Sequence, residues 1–300
     1  MKKTVGLIGL GNAGLALATP ITKEFKVVAF DASQARCQLA RQMGVEVAND
    51  VRGVAEQCNI LMLCLPNPSI SRTVLTQIGT KDLENKLIIE NSTVGPEDIA
   101  SLMHILKPAK ARILEAAILG GVHKLAAGEG TFLVGASEAD YAEAKPILDS
   151  AAEKIFYLGP LGNGMRAKLV CNGVAHAVMV VIIEAAALAA AQGIPMDTFY
   201  ELMLRDSGLT RPLTHRFKER ILNQDFEGGM TIANAHKDSS LILSVARELG
   251  VPLFATAAAH TPYEIALSEE KNSGLPVQDY ASISKLWEKW ADVSFATKKA

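Results

Sequence analysis

Thr4-Val5-Gly6-Leu7-Ile8 runs directly into Gly9-Leu10-Gly11-Asn12-Ala13-Gly14. The first five residues are short and apolar enough for a buried strand, and the next six have glycine at positions one, three and six. A helix-length stretch follows, and Asp31 closes the next apolar run, 22 residues after Gly9. In that context each glycine has a separate task. Gly9 permits a tight turn, Gly11 lets the backbone approach a pyrophosphate, and Gly14 lets the helix pack on the strand. Leu10, Asn12 and Ala13 complete a loop whose free N–H groups meet phosphate at a helix start. A carboxylate at Asp31 accepts hydrogen bonds from ribose hydroxyls and repels a 2′-phosphate. The expected cofactor is therefore NAD, with NADP less favoured.

Outward from this loop the pattern alternates. Apolar runs at Lys26–Phe30, Val45–Ala48, Ile60–Leu65, Leu87–Glu90, Ile113–Ile118, Thr131–Val134 and Ile155–Leu158 have strand length. Helix-length stretches separate most of them, at Gly14–Lys23, Ser33–Met43, Ile70–Gln77, Pro96–Leu106 and Glu138–Ser150, with Pro146 expected to bend or end the last. Such alternation predicts an α/β fold, a doubly wound, mostly parallel sheet covered by helices on both faces. Strand ends at Leu65-Pro66 and Asn91-Ser92-Thr93 should join the cofactor site, because ligands bind at the carboxyl edge of such sheets. Thr93 suits the nicotinamide ribose and a helix cap equally.

After Gly164 the strand signal vanishes. A helix is predicted from Met165 to Gln192, stopped by Gly193 and Pro195, and helical patterns follow at Asp197–Leu204, Pro212–Asn223, Ile232–Leu249, Ala255–Ser268 and Tyr280–Trp290. The expected organisation is a dinucleotide-binding domain at 1–162 and an all-helical domain for substrate and assembly at 163–300, joined by the long helix. Thr297-Lys298-Lys299-Ala300 reads as a solvated tail.

Composition bounds the rest. Apolar residues make up 49% of 300 and charged ones 21%, with a net charge of −2 and no long run of one sign. Neither nucleic acid nor a membrane surface is an expected partner. Met1-Lys2-Lys3 and the apolar residues after it imitate a secretory signal, but four glycines and Asn12 break the pattern. Gly173–Ala191 has the length of a membrane span, yet it carries Glu184 and lacks basic flanks. A helix buried all round, between domains or subunits, is expected instead, and with it a homodimer or homotetramer in the cytoplasm. Cys37, Cys58, Cys64 and Cys171 match no metal spacing and read as reduced, buried small hydrophobes. The six histidines show no His-x-x-x-His pairing, so no metal is expected.

Lys168 lies four residues before Asn172 in Gly162-Asn163-Gly164-Met165-Arg166-Ala167-Lys168-Leu169-Val170-Cys171-Asn172. On a helix the two share a face, so an ammonium and a carboxamide point together. Gly164, one turn earlier, is expected to leave that face open to a substrate.

With Glu115-Ala116-Ala117-Ile118-Leu119-Gly120-Gly121 and Lys237-Asp238, these motifs stand in an order that resembles the β-hydroxyacid dehydrogenase family over nearly the whole chain. The resemblance implies hydride exchange between NAD and a small hydroxy acid such as a 3-hydroxyisobutyrate-like, tartronate semialdehyde-like or sugar acid. It implies Lys168 as general acid or base, Asn172 orienting the substrate or the ammonium, and Lys237 near the nicotinamide. The family segment usually reads Asp-Ala-Pro-Val-Ser-Gly-Gly. With Leu119 replacing the serine that helps hold the substrate carboxylate, the backbone donors of Gly120 and Gly121 remain. Leu209-Thr210-Arg211 and Phe226 are further pocket candidates. Two other readings stand beside this one. A nucleotide sensor without turnover has no use for Lys168 and Asn172, and imine-reducing relatives usually replace the lysine.

Overall fold

The computed structural model describes residues 3–205, 208–273 and 278–297. The chain forms two compact units, dividing at Gly173 inside its longest helix. The first contains β1 (Thr4–Ile8), α1 (Asn12–Glu24), β2 (Lys26–Phe30), α2 (Gln34–Gln42), β3 (Glu46–Val47), α3 (Val51–Gln57), β4 (Ile60–Leu63) and α4 (Pro68–Asp82). It continues with β5 (Leu87–Glu90), α5 (Pro96–Leu106), β6 (Arg112–Leu119), α6 (Val122–Ala127), β7 (Gly130–Gly135), α7 (Glu138–Asp149) and β8 (Ala152–Tyr157). The eight strands stand in the order β3-β2-β1-β4-β5-β6-β7-β8. Every pairing is parallel except β6 with β7.

That exception has a local cause. A parallel return would carry the chain back along the whole of β6, roughly 26 Å for an eight-residue strand. The six-residue α6 spans only about 9 Å, so β7 starts where β6 ends and runs the other way. Strand residues alternate between two cores. Val5, Leu7, Met62, Leu87 and Ile89 pack with Leu17, Ile21 and Phe132 on one face. Ile8, Leu61, Leu63 and Ile88 pack with Leu75, Ile78, Leu102 and Met165 on the other. Both faces are covered, so these strands read as continuous apolar runs. Each buried Leu, Ile or Val contributes about 1.5–3 kcal/mol.

Three local expectations are corrected. α3 and α6 were not legible, being too short to show a helical period. Pro146 does not end its helix: it lies inside α7, which continues to Asp149. Of the tail, only Thr297 is among the described residues, and it is not free: its N–H donates to the Leu222 carbonyl at 3.0 Å.

The second unit is helical. α8 (Asn163–Ala191) enters it from the first, followed by α9 (Met196–Leu204), a π-helical stretch (Pro212–Ile221), α10 (Ile232–Glu248), α11 (Phe254–Ser273), a 3₁₀ turn (Tyr280–Ile283) and α12 (Ser284–Ala291). Its buried cluster is small: Ile232, Ala266 and Leu286, with Leu267, Tyr280 and Ile283 against them. The all-round burial expected of α8 is not found in the single chain. Val174, Met179 and Ile183 are 61%, 57% and 59% exposed. Among the described residues α8 is the one helix long and apolar enough to cross a membrane. Glu184 within it is buried, however, and accepts from the N–H groups of Ala255 (2.7 Å) and Thr256 (3.1 Å) and from the Thr256 hydroxyl (2.9 Å). Its role is to cap α11.

Candidate active site

The chain passes from β1 to β2 and β3 on one side, then returns to place β4 on the other. A crevice opens at such a switch point. Here it is a cleft of about 800 Å³ lined by Gly9, Gly11, Asn12, Ala13, Gly14, Asp31, Leu65, Pro66, Thr93 and Gly120, among others. Ten of the residues singled out in the sequence thus meet in one place.

The glycine loop divides its tasks physically. Gly9 has φ +100°, and a Cβ there would collide with the Cys64 carbonyl oxygen. A Cβ on Gly14 would collide with the Gly9 carbonyl oxygen. Both are demanded by the protein's own packing. A Cβ on Gly11 would meet nothing within 4 Å, so no packing within the described residues demands a glycine there, and the face beside it is open to the cleft. The Leu10 side chain is buried in the core, and its N–H donates to Asp31 Oδ2 at 2.6 Å. Asp31 Oδ1 accepts from the Ser33 N–H at 2.8 Å. Arg36 folds back to this loop, where its Nη2 donates to Asn12 Oδ1 at 2.9 Å. Loop, acid and cation form one rim, and the cradle fits a dinucleotide.

The opposite wall rests on buried polar groups that the sequence did not reveal. Ser92 Oγ accepts from the Leu65 N–H at 2.8 Å, and the Ser92 N–H donates to Glu90 Oε1 at 2.9 Å. Asn91 Nδ2 donates to the Ala116 carbonyl at 2.7 Å. Burial pushes the Glu90 carboxyl up to about 7, against the Ser92 hydrogen bonds. Thr93 remains exposed, and it is no helix cap. Gly95 occupies the N-cap of α5, and its N–H donates to Asp98 Oδ2 at 2.9 Å.

Lys168 Nζ donates to the Ile118 carbonyl at 2.6 Å. Ile118 lines the cleft at the end of β6, two residues before Gly120, which has φ +101°. The half-buried ammonium is held below the ordinary lysine value of 10.5 by burial, partly opposed by Cys171. Behind it, Glu115 is fully buried on the same strand, and its Oε2 accepts from the Gly162 (2.8 Å) and Gly164 (3.0 Å) N–H groups at the start of α8. Burial raises the Glu115 carboxyl, and those N–H groups oppose the rise. One carboxylate therefore fixes the Lys168 helix to the strand that leads into Gly120 and Gly121.

Gly164 does not open a face for substrate, as the sequence suggested. A Cβ there would press against Leu133 O, Gly135 N and Glu115 Oε2, so its absence serves close packing of α8 on β7. Asn172 is half-buried one turn after Lys168. Gly121 is the N-cap of α6. Lys237 belongs to the second unit, exposed on α10 with Asp238 Oδ1 at 2.9 Å. Phe226 is a core residue under the Lys285 ammonium, which lies 4.6 Å from its ring centre. Leu209 and Thr210 lie in an exposed turn, and Arg211, also exposed, is the N-cap of the π-helical stretch. The four cysteines are free, and burial lifts the Cys58 and Cys64 thiols to about 11 and about 12.

Comparison with known proteins agrees with this geometry. Residues 4–159 match the NAD binding domain of 6-phosphogluconate dehydrogenase, and residues 162–287 match the NAD-binding domain of NADP-dependent 3-hydroxyisobutyrate dehydrogenase. The chain is 29% identical to 2-(hydroxymethyl)glutarate dehydrogenase of Eubacterium barkeri, covering 97% of this chain and 96% of that one. It is 30% identical to a probable mitochondrial 3-hydroxyisobutyrate dehydrogenase of Arabidopsis thaliana, covering 83% and 78%. An imine reductase from a Pseudomonas species shares the fold, with a TM-score of 0.84 at 19% identity over 95% of this chain and 99% of that one. With one family domain alone spanning more than half its length, the chain belongs to the β-hydroxyacid dehydrogenases, nicotinamide-dependent oxidoreductases that act on CH–OH groups.

Proposed function

We propose that this enzyme interconverts a small β-hydroxy acid and its carbonyl counterpart with NAD in preference to NADP, and that Lys168 handles the proton. The observation that carries the proposal is the bond from Lys168 Nζ to the Ile118 carbonyl, beside the cleft and two residues before Gly120. When bound, the dinucleotide supplies or accepts the hydride. The loop Gly9–Gly14, with Leu10, Asn12 and Ala13 contributing backbone, holds its phosphates, and Asp31 takes the adenosine ribose. Leu65, Pro66 and Thr93 line the nicotinamide end. Gly120 and Gly121 offer backbone donors to the acid group, and Thr93 adds a hydroxyl.

In carbonyl reduction Lys168 gives its proton to the oxygen, because an unprotonated alkoxide is a high-energy product. In alcohol oxidation the neutral amine takes that proton, and its lowered pKa favours the task. Asn172 orients the substrate or the ammonium, and Lys237 acts on ligand binding. The same reading assigns residues 1–162 to the cofactor and 163–300 to substrate and assembly, supported by the junction of the two family domains between 159 and 162. It also favours a homodimer or homotetramer, since α8 leaves an apolar surface uncovered.

Lys168→Met provides the test. On a substrate turned over by the native enzyme, kcat should fall roughly 10²–10⁴-fold, the usual worth of a positioned acid or base. The Kd for NAD should barely move, and Lys237→Ala should act partly through KM. Near-native kcat in the Lys168 variant would sink the mechanism. A screen of 2-methyl-3-hydroxy, 2,3-dihydroxy and sugar acids identifies the substrate.

A further inference from the structure

The helical unit gathers three side chains that this reaction leaves unused. His236 comes from α10, and His260 and Glu264 come from α11, one turn apart. One potential ligand atom from each lies within 4.8 Å of the other two. The two imidazole rings are 4.7 Å apart between centres, tilted by 31°. His260 Nδ1 lies 2.9 Å from Ser239 Oγ, which also belongs to α10, and His260 Nε2 lies 3.4 Å from Glu264 Oε1.

We propose that His236, His260 and Glu264 bind a first-row divalent metal ion, with Zn²⁺ the best fit, and that the ion ties α10 to α11. Three features of the cluster argue for it over an ordinary surface ion pair. The first is the spacing. A charge-assisted N–H···O bond closes to about 2.7–2.9 Å, so 3.4 Å is long for a pair free to approach. Two ligand atoms at a tetrahedral angle on a metal with bonds of about 2.0–2.1 Å stand about 3.3–3.4 Å apart.

The second is the orientation of His260. Nδ1 is paired with Ser239 Oγ, and in the tautomer that donates from Nδ1 the Nε2 lone pair faces Glu264. A ligating histidine is ordinarily oriented in this way, its other ring nitrogen donating to an oxygen. The third is the donor set. A divalent cation takes imidazole nitrogens and a carboxylate, and both kinds of ligand atom meet here. Two imidazoles and a carboxylate, with no thiolate, suit Zn²⁺, Ni²⁺ or Cu²⁺ rather than Mg²⁺ or Ca²⁺. A fourth position is left for water.

The ion would matter here because the unit has so little core. Among the described residues its apolar cluster is confined to Ile232, Ala266 and Leu286 with Leu267, Tyr280 and Ile283 against them, so one added tie between α10 and α11 weighs more here than in the first unit. His236 also precedes Lys237, so a metal fixed to one steadies the helical turn that presents the other.

The test uses the full-length chain without a histidine tag, dialysed against EDTA and titrated with ZnCl₂ or CoCl₂. One ion should bind per chain with a Kd in the micromolar range or below, Co²⁺ should show the visible bands of a low-coordinate nitrogen–oxygen site, and Zn²⁺ should raise Tm. His260→Gln should weaken binding at least about tenfold. Glu264→Gln, at an exposed position that leaves folding intact by circular dichroism, should do the same and abolish the Tm shift. Binding no tighter than millimolar, or binding unchanged in both variants, would overturn the assignment.

Discussion

Asp31 is engaged on both oxygens before any ligand arrives, by the Leu10 and Ser33 N–H groups. Each oxygen keeps a lone pair for a ribose hydroxyl, and the two bonds hold the charge at the rim where a 2′-phosphate would sit. Arg36, the nearest cation in the sequence, is tied to Asn12 on the same rim. We therefore predict a higher kcat/KM with NAD than with NADP, narrowed roughly tenfold by Asp31→Asn, the worth of about 1.4 kcal/mol between like charges near a surface. Equal or better kcat/KM with NADP in the native enzyme would refute the assignment. Asp31 and the three glycines were legible because their spacing is set by one turn of backbone, and the Lys168–Asn172 pair because i and i+4 share a helix face. Glu90, Asn91, Ser92 and Glu115 were not. A polar residue at a strand end looks the same in sequence whether it faces water or is buried against an N–H from a distant segment. Gly164 was misread for a related reason, since what fills the space above a glycine is decided by the partner strand.

Helices here are held by acids borrowed from other elements. Glu115 on β6 holds the start of α8, and Glu184 on α8 holds the start of α11. Burial works against ionisation of Glu184, but the N–H groups of Ala255, Thr256 and Phe254 and the Thr256 hydroxyl outweigh it, leaving its carboxyl below the ordinary range. A carboxylate lowered on folding stabilises the fold above its unfolded pKa, and that contribution is lost as pH falls through the folded value. Glu184→Gln should cost about 2 kcal/mol near neutral pH, and the gap to the native protein should close as the pH falls from the ordinary glutamate value through the lowered one. Thermal melts across pH 3–8 check both the size and the direction, and a gap that widened with acid would contradict this account. Element type and order were legible for long segments, where periodicity accumulates. The two short helices of the first unit and the reversal of β7 were not, because six or seven residues carry too little period and strand direction depends on connection length.

For the whole molecule, the exposed apolar face of α8 is the feature that a single chain leaves unresolved. Valine, methionine and isoleucine side chains at 174, 179 and 183 each stand more than half in solvent, and contiguous apolar surface of this kind marks an association site. Light scattering at micromolar concentration should give at least twice the 32.0 kDa of one chain, and a lone 32.0 kDa species would exclude the proposed assembly. Charged substitution at Val174 or Ile183 should lower the apparent mass. The sequence showed that this helix needed covering. It could not show by what, since a helix apolar all round has no face that distinguishes its own fold from a neighbour.

Lys168 is held by a carbonyl of the main chain, and main chain does not mutate. Side chains around the turn at Gly120 and Gly121, Leu119 among them, are free to vary without moving the acceptor at Ile118 or the ammonium it holds. On the proposed mechanism, chemistry and selectivity can then drift separately over evolutionary time, and a lineage can change the acid it consumes while keeping one way of handling the proton.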